Sequence, residues 1–144
     1  VNNEALAALV LWSCIIAAVV MNGIMVQKTR AVDSVVKGVI KTRQHLLLAK
    51  EAINLSMKLA IYYLVMCGAM LAIFLLLVSK GLPFMAMMGK IFLFGIVTLP
   101  IGLIAKHFEK KIKNLRVESD DPSLSGLFSD YLSQWERPQF QIKE

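Results

Sequence analysis

The sequence predicts an all-α integral membrane protein. Three transmembrane helices run from an outside amino terminus to a cytoplasmic carboxyl terminus, joined to amphipathic cytoplasmic helices. The first observation behind this reading is length: the stretches 5–26, 59–78 and 83–105 are apolar, and the first two contain no charged residue. At ~1.5 Å per residue, about 20 apolar residues cross a ~30 Å hydrocarbon core. The second is composition, with 57% hydrophobic residues and a mean hydropathy of +0.63, too apolar for an ordinary soluble domain of this size. The third is where the charge falls. Lys28, Arg30, Lys37, Lys41, Arg43, Lys50 and Lys58 separate the first two stretches, and Lys106, Lys110, Lys111, Lys113 and Arg116 follow the third. The second and third are separated by Lys80 alone. Basic loops stay in the cytoplasm, which orients the chain and points to a multi-pass protein of a bacterial-type inner membrane.

The domain reading follows: residues 1–105 form a three-span membrane domain that includes a cytoplasmic helical segment, 27–58, and residues 106–144 form a cytoplasmic helical tail. The first stretch differs from a secretory signal, whose apolar core is ~7 to 15 residues long behind a basic leader. Val1-Asn2-Asn3-Glu4 precedes it instead. It reads as a retained span. Beyond it, only Gly38 interrupts good helix-forming sequence as far as Met57. Val32, Val36, Val39, Leu46, Ile53, Met57 and Ala60 share a seam of alternating four-and-three spacing, interrupted by Arg43 and Lys50. This segment has to turn back to deliver Leu59 to the bilayer, as a helical hairpin packed on a neighbour or as a helix lying on anionic head groups.

Ser79-Lys80-Gly81-Leu82-Pro83 punctuates two apolar runs and makes the second and third spans a tight outer hairpin. The third span reaches crossing length only from Pro83, in the first helical turn. Lys90 then lies inside it, ~10 Å from its outer end, and snorkels to the interface or faces a polar cavity. After the span, Phe108, Ile112 and Leu115 share a face of a helix continuing to Val117. Asp121-Pro122 is a helix start, followed by an apolar stripe of Leu124, Leu127, Phe128, Tyr131, Leu132 and Trp135. The opposite face holds serines and Asp130 but no basic residue, so this acidic helix is expected to dock on the basic cytoplasmic helices of this chain or of a partner, with Trp135 as anchor.

Little in the chain suggests covalent chemistry. Cys14 and Cys67 fall inside spans at similar depth, where they read as small apolar residues of a helix contact. His45 and His107 fall outside the spans, and neither a metal site nor a cofactor motif is expected. Paired carboxylates occur only at Asp120-Asp121, where capping explains them. The chain is therefore expected to be no enzyme and to bind no nucleic acid; its partners are the bilayer and other membrane subunits or itself. Small residues mark expected contacts: Ser13 with Ala17, Cys14 with Ala18, Gly68 with Ala72, and Gly95 with Gly102. The polar residues available to a translocation path are Asn22, Lys90 and Thr98.

Gly95-Ile96-Val97-Thr98-Leu99-Pro100, followed by Phe108 and Lys110-Lys111, resembles the last span of the ExbB, TolQ and MotA class of proton-driven motor subunits. The resemblance covers that stretch and the order of the spans. That class has a much longer cytoplasmic region and a glycine-rich, threonine-bearing second span, whereas 59–78 has only Gly68 and no threonine. The leading expectation is an accessory subunit that assembles, scaffolds or stabilises a larger membrane complex. The resemblance implies the alternative, a pore-forming or ion-translocating subunit; a phage-type lysis pore shares the topology but generally lacks so long a cytoplasmic helix.

Overall fold

A computed structural model describes residues 2–118 and 122–133. Three long helices are length- and composition-competent to cross a membrane: α1 (Asn3–Val36), α2 (Arg43–Ser79) and α3 (Phe84–Lys113). A short α4 (Pro122–Ser133) follows, and two-residue strands β1 (Val39–Ile40) and β2 (Arg116–Val117) pair in parallel. At 34, 37 and 30 residues, the long helices exceed the ~20 needed for a crossing. Each therefore carries a part that extends beyond an apolar core.

The helix ends follow from local chemistry. Asn2 caps α1 by accepting a hydrogen bond from the Glu4 amide, and Glu4 lies in the first turn, where the helix dipole favours an acid. The helix stops at Lys37 and Gly38, both at positive φ (50° and 81°), and a glycine tolerates that backbone at no steric cost. Thr42 caps α2 through the His45 amide. At the other end of α2 the Leu82 amide donates to the Leu77 carbonyl and the Gly81 amide to that of Val78, the paired bonds of a Schellman motif, with Gly81 at φ 98°. Leu77 and Leu82 are both buried beside this turn. The turn expected at 79–83 is therefore a tight one. Pro83 caps α3 from just outside it rather than occupying its first turn.

Two packed cores lie at opposite ends of the bundle. At the hairpin end, Ala7, Leu11, Ile15, Met70, Phe74, Leu77, Leu82, Met87 and Phe94 form one cluster. There the Asn3 side-chain amide donates to the Lys80 carbonyl at 2.9 Å, fixing the start of α1 beside the α2–α3 turn. At the head end, Val32, Val36, Ile40, Leu46, Ala49, Ile53, Ile112, Leu115, Leu124 and Phe128 form the second. The single seam drawn from Val32 to Ala60 is divided: the chain reverses at 37–42, Ala60 is exposed, and the halves of the seam meet across the head. The helix expected to reach Val117 ends at Lys113, and the Arg116 and Glu118 amides donate to the Gly38 and Ile40 carbonyls. These bonds tie the end of α3 to the α1–α2 connection.

Candidate functional site

Helix α1 packs along both α2 and α3, which touch each other far less. Between the two cores this leaves a lateral groove of about 630 Å³. Its floor is Met21, Asn22 and Met25 of α1. One wall is Ser56, Leu59, Ala60, Tyr63 and Leu64 of α2; the other runs from Phe94 to Glu109 on α3 through Gly95, Thr98, Leu99, Gly102, Ala105 and Lys106. From Gly95 to Lys106 the wall rises ~16 Å, about half of a ~30 Å hydrocarbon core.

Towards the hairpin end the groove closes where Tyr63 and Phe94 stack, their ring centroids 6.2 Å apart. The Tyr63 hydroxyl donates to Thr98 Oγ1 at 3.3 Å, and the Thr98 hydroxyl donates to the Phe94 carbonyl at 2.7 Å. Asn22 Nδ2 donates to the Ala18 carbonyl at 2.8 Å. Each of these polar side chains therefore has a donor committed to the protein, as an apolar surround requires. Apart from Lys106 and Glu109, the remainder of the lining is apolar or small.

Charge appears only at the head-end mouth. Glu109 pairs with Lys113 at 2.8 Å, one turn along the same helix. Lys106 makes no ion pair among the described residues. Around the mouth, Lys111 bridges to Asp33 at 2.9 Å, Lys28 to Glu51 at 3.5 Å, and the Arg30 guanidinium lies 5.2 Å from the Phe108 ring centroid. These contacts join α1 to α2 and α3 where the helices leave their apolar segments.

Of the three residues proposed for a path, the groove brings together Asn22 and Thr98; half-buried Lys90 is outside its lining. The small residues also divide. Ala18 is buried and Cys14, Ala17 and Gly95 are half-buried, whereas Ser13, Gly68, Ala72 and Gly102 are exposed. A Cβ built on Gly68, Gly95 or Gly102 would meet nothing within 4 Å, so no close helix approach within this chain uses them. Cys14 and Cys67 are free thiols that pack on the hairpin-end core. In α4, Leu124 and Phe128 enter the head core while Leu127 faces out. Tyr131 and Leu132 continue this helix; Trp135, like the Asp121 cap, lies outside the described residues.

Sequence reasoning missed Tyr63, Met21, Met25 and Lys106 as site residues. Tyr63 carried a usable signal, because a phenol amid an apolar span needs a hydrogen-bond partner. Compared with protein-family models, with curated proteins and with solved structures, the chain matches none.

Proposed function

We propose that this chain is a non-enzymatic subunit of the membrane, working by association: it assembles, scaffolds or stabilises a larger complex. The observation that carries the reading is the outward face of α2 at Gly68 and Ala72. Glycine costs a helix about 1 kcal/mol relative to alanine. Nothing in this chain occupies the space that the missing Cβ of Gly68 leaves. In a bilayer, where lipid is as apolar as leucine, such a face gains its value from close approach of another helix. The partner is another membrane subunit or a second copy.

The orientation proposed is amino terminus outside and carboxyl terminus in the cytoplasm, in a bacterial-type inner membrane. It is supported by the gathering of Lys28, Arg30, Lys37, Lys41, Arg43, Lys110, Lys111 and Arg116 at the head end, against Lys80 at the hairpin. A photo-crosslinking amino acid at Ala72, activated in native membranes without overexpression, is expected to give a discrete protein adduct that Gly68→Leu removes. Adducts with lipid alone, or an isolated folded monomer on mild solubilisation, refute the reading.

One observation favours a second reading, an ion- or proton-translocating subunit: Asn22 and Thr98 line the same groove. Against it, the groove ends at the stacked Tyr63 and Phe94 rings, and Lys90 is not part of it. Thr98→Val and Lys90→Gln are expected to leave ion flux in liposomes unchanged; loss of flux with assembly intact would favour translocation.

A further inference from the structure

We propose that the groove between α2 and α3 is a lipid site that takes one acyl chain of an anionic phospholipid from the leaflet at the head end, with the lipid phosphate on the Lys106 ammonium. The inference rests on the membrane reading but not on the partner contact at Gly68. Four features of the groove support it together.

Its height fits one leaflet. The apolar part of the lining, Phe94 to Ala105, spans ~16 Å of α3, about half a bilayer core, and ends at the Tyr63–Phe94 stack. An occupant enters beside the head and stops near mid-membrane, which suits an acyl chain. A membrane-crossing helix has to continue past that closure. Its volume, about 630 Å³, is in the range of small-molecule pockets, ~300 to 1,000 Å³. Its walls are mostly apolar: Thr98 and Asn22 donate to their own helices, Ser56 adds one hydroxyl towards the head, and Met21 and Met25 are flexible side chains that adapt to an irregular guest.

The fourth feature is charge. Of the two charged lining residues, Glu109 pairs with Lys113, whereas Lys106 makes no ion pair among the described residues. It sits where the apolar segment of α3 ends, the level of lipid head groups. A basic pocket between membrane helices on the cytoplasmic side is a recognised arrangement for anionic head groups. A partner helix resting on Gly68 and Ala72 passes close to the groove's rim at Leu64, and is the competing occupant to be excluded.

The test is native mass spectrometry of the full-length protein in detergent, titrated with phosphatidylglycerol or with phosphatidylcholine of the same acyl chains. One phosphatidylglycerol per chain is expected to bind about fivefold more tightly than phosphatidylcholine, the share of one lysine near a head group. Lys106→Gln should erase that preference, and Lys41→Gln, at an exposed position away from the groove, should keep it. Gly102→Leu projects a side chain into open groove space and should weaken both lipids roughly tenfold, as expected for about two methylenes denied burial. Equal affinity for the two lipids, or a preference untouched by Lys106→Gln, overturns the proposal. So does a photo-crosslinker at Leu99 that captures protein rather than lipid. Because the Ala72 crosslink reports partner association separately, the lipid site can fail while the assembly reading stands.

Discussion

Replacing Phe128 by alanine tests whether α4 belongs to the head of this chain. The helix has only 12 residues, a length at which an isolated helix is marginal in water, so tertiary contacts have to hold it. Among its described side chains, Leu124 and Phe128 are the buried ones, at 5% and 4% exposure, and Leu127 is 43% exposed. Fully burying a Leu or Phe side chain contributes about 1.5–3 kcal/mol, so the two anchors supply roughly 3–6 kcal/mol of docking. Deleting the phenyl ring removes about half of that, a shift in the docked population of at least tenfold. The three long helices lose little, because their own residues complete the remainder of the head core. Hydrogen exchange followed by mass spectrometry, on protein in detergent, reads this directly. Peptides covering 122–133 should lose protection by tenfold or more in Phe128→Ala, those from 46–53 should keep theirs, and Leu127→Ala should change neither. Undiminished protection of α4 in Phe128→Ala would show that something other than this intrachain contact holds it, and the docking argument would be wrong.

Three further outcomes follow from the same structure. In a background of Cys14→Ala and Cys67→Ala, a cysteine at Lys80 should react with a membrane-impermeant maleimide from outside intact cells and one at Lys41 only after lysis; the reverse pattern rejects the orientation. Gly38→Ala places a Cβ on a backbone at φ 81°, which costs about 1–2 kcal/mol, and should lower the thermal midpoint in detergent even though the added carbon has free space; an unchanged midpoint would mean that the turn relaxes. Asp33→Asn removes the partner of Lys111 at a half-exposed site, so stability should fall by no more than ~1 kcal/mol and the difference should vanish in high salt; a larger loss would assign the bridge a structural role.

What the sequence conveyed well was local. Long apolar runs, the Gly81 and Pro83 punctuation and the four-and-three spacing of Val32, Val36, Leu46 and Ile53 depend on neighbours a few residues away, and each corresponds to an element or a buried face. What it conveyed poorly was non-local. Val39 extends the seam in sequence, yet it and Ile40 pair with Arg116 and Val117, 77 residues further on, and no periodicity announces a partner at that distance. The reversal at Lys37 had one visible sign, Gly38, and good helix formers surround it. The site fared similarly. Thr98 and Asn22 stood out as polar residues in spans, but that they line one groove, while Lys90 does not, depends on how three helices diverge. Gly95 and Gly102, expected from their spacing as a helix contact, border open space within the chain.

That open space has a physical cause, and the cause suggests how to test it. Large side chains set the separation of α2 and α3 at both ends, Phe74, Met87 and Phe94 in one core and Leu46, Ile53 and Ile112 in the other. Between these spacers several of the lining residues are small: Ser56 and Ala60 on α2, Gly95, Gly102 and Ala105 on α3. Helices held apart at two points cannot close over small residues in the middle, and Pro100 further weakens α3 there by removing one backbone donor. A gap of this kind is either a tolerated packing defect or a place kept open for an occupant. Gly102→Leu separates the two when stability and binding are measured on the same protein. It should raise the thermal midpoint in detergent, since leucine gains up to ~1 kcal/mol of helix propensity over glycine and fills the void. Loss of lipid affinity alongside that gain is the trade-off expected of a site whose function requires empty space. A gain in stability with unchanged lipid binding would make the groove a mere defect, and a fall in stability would mean that the space beside Gly102 is not open.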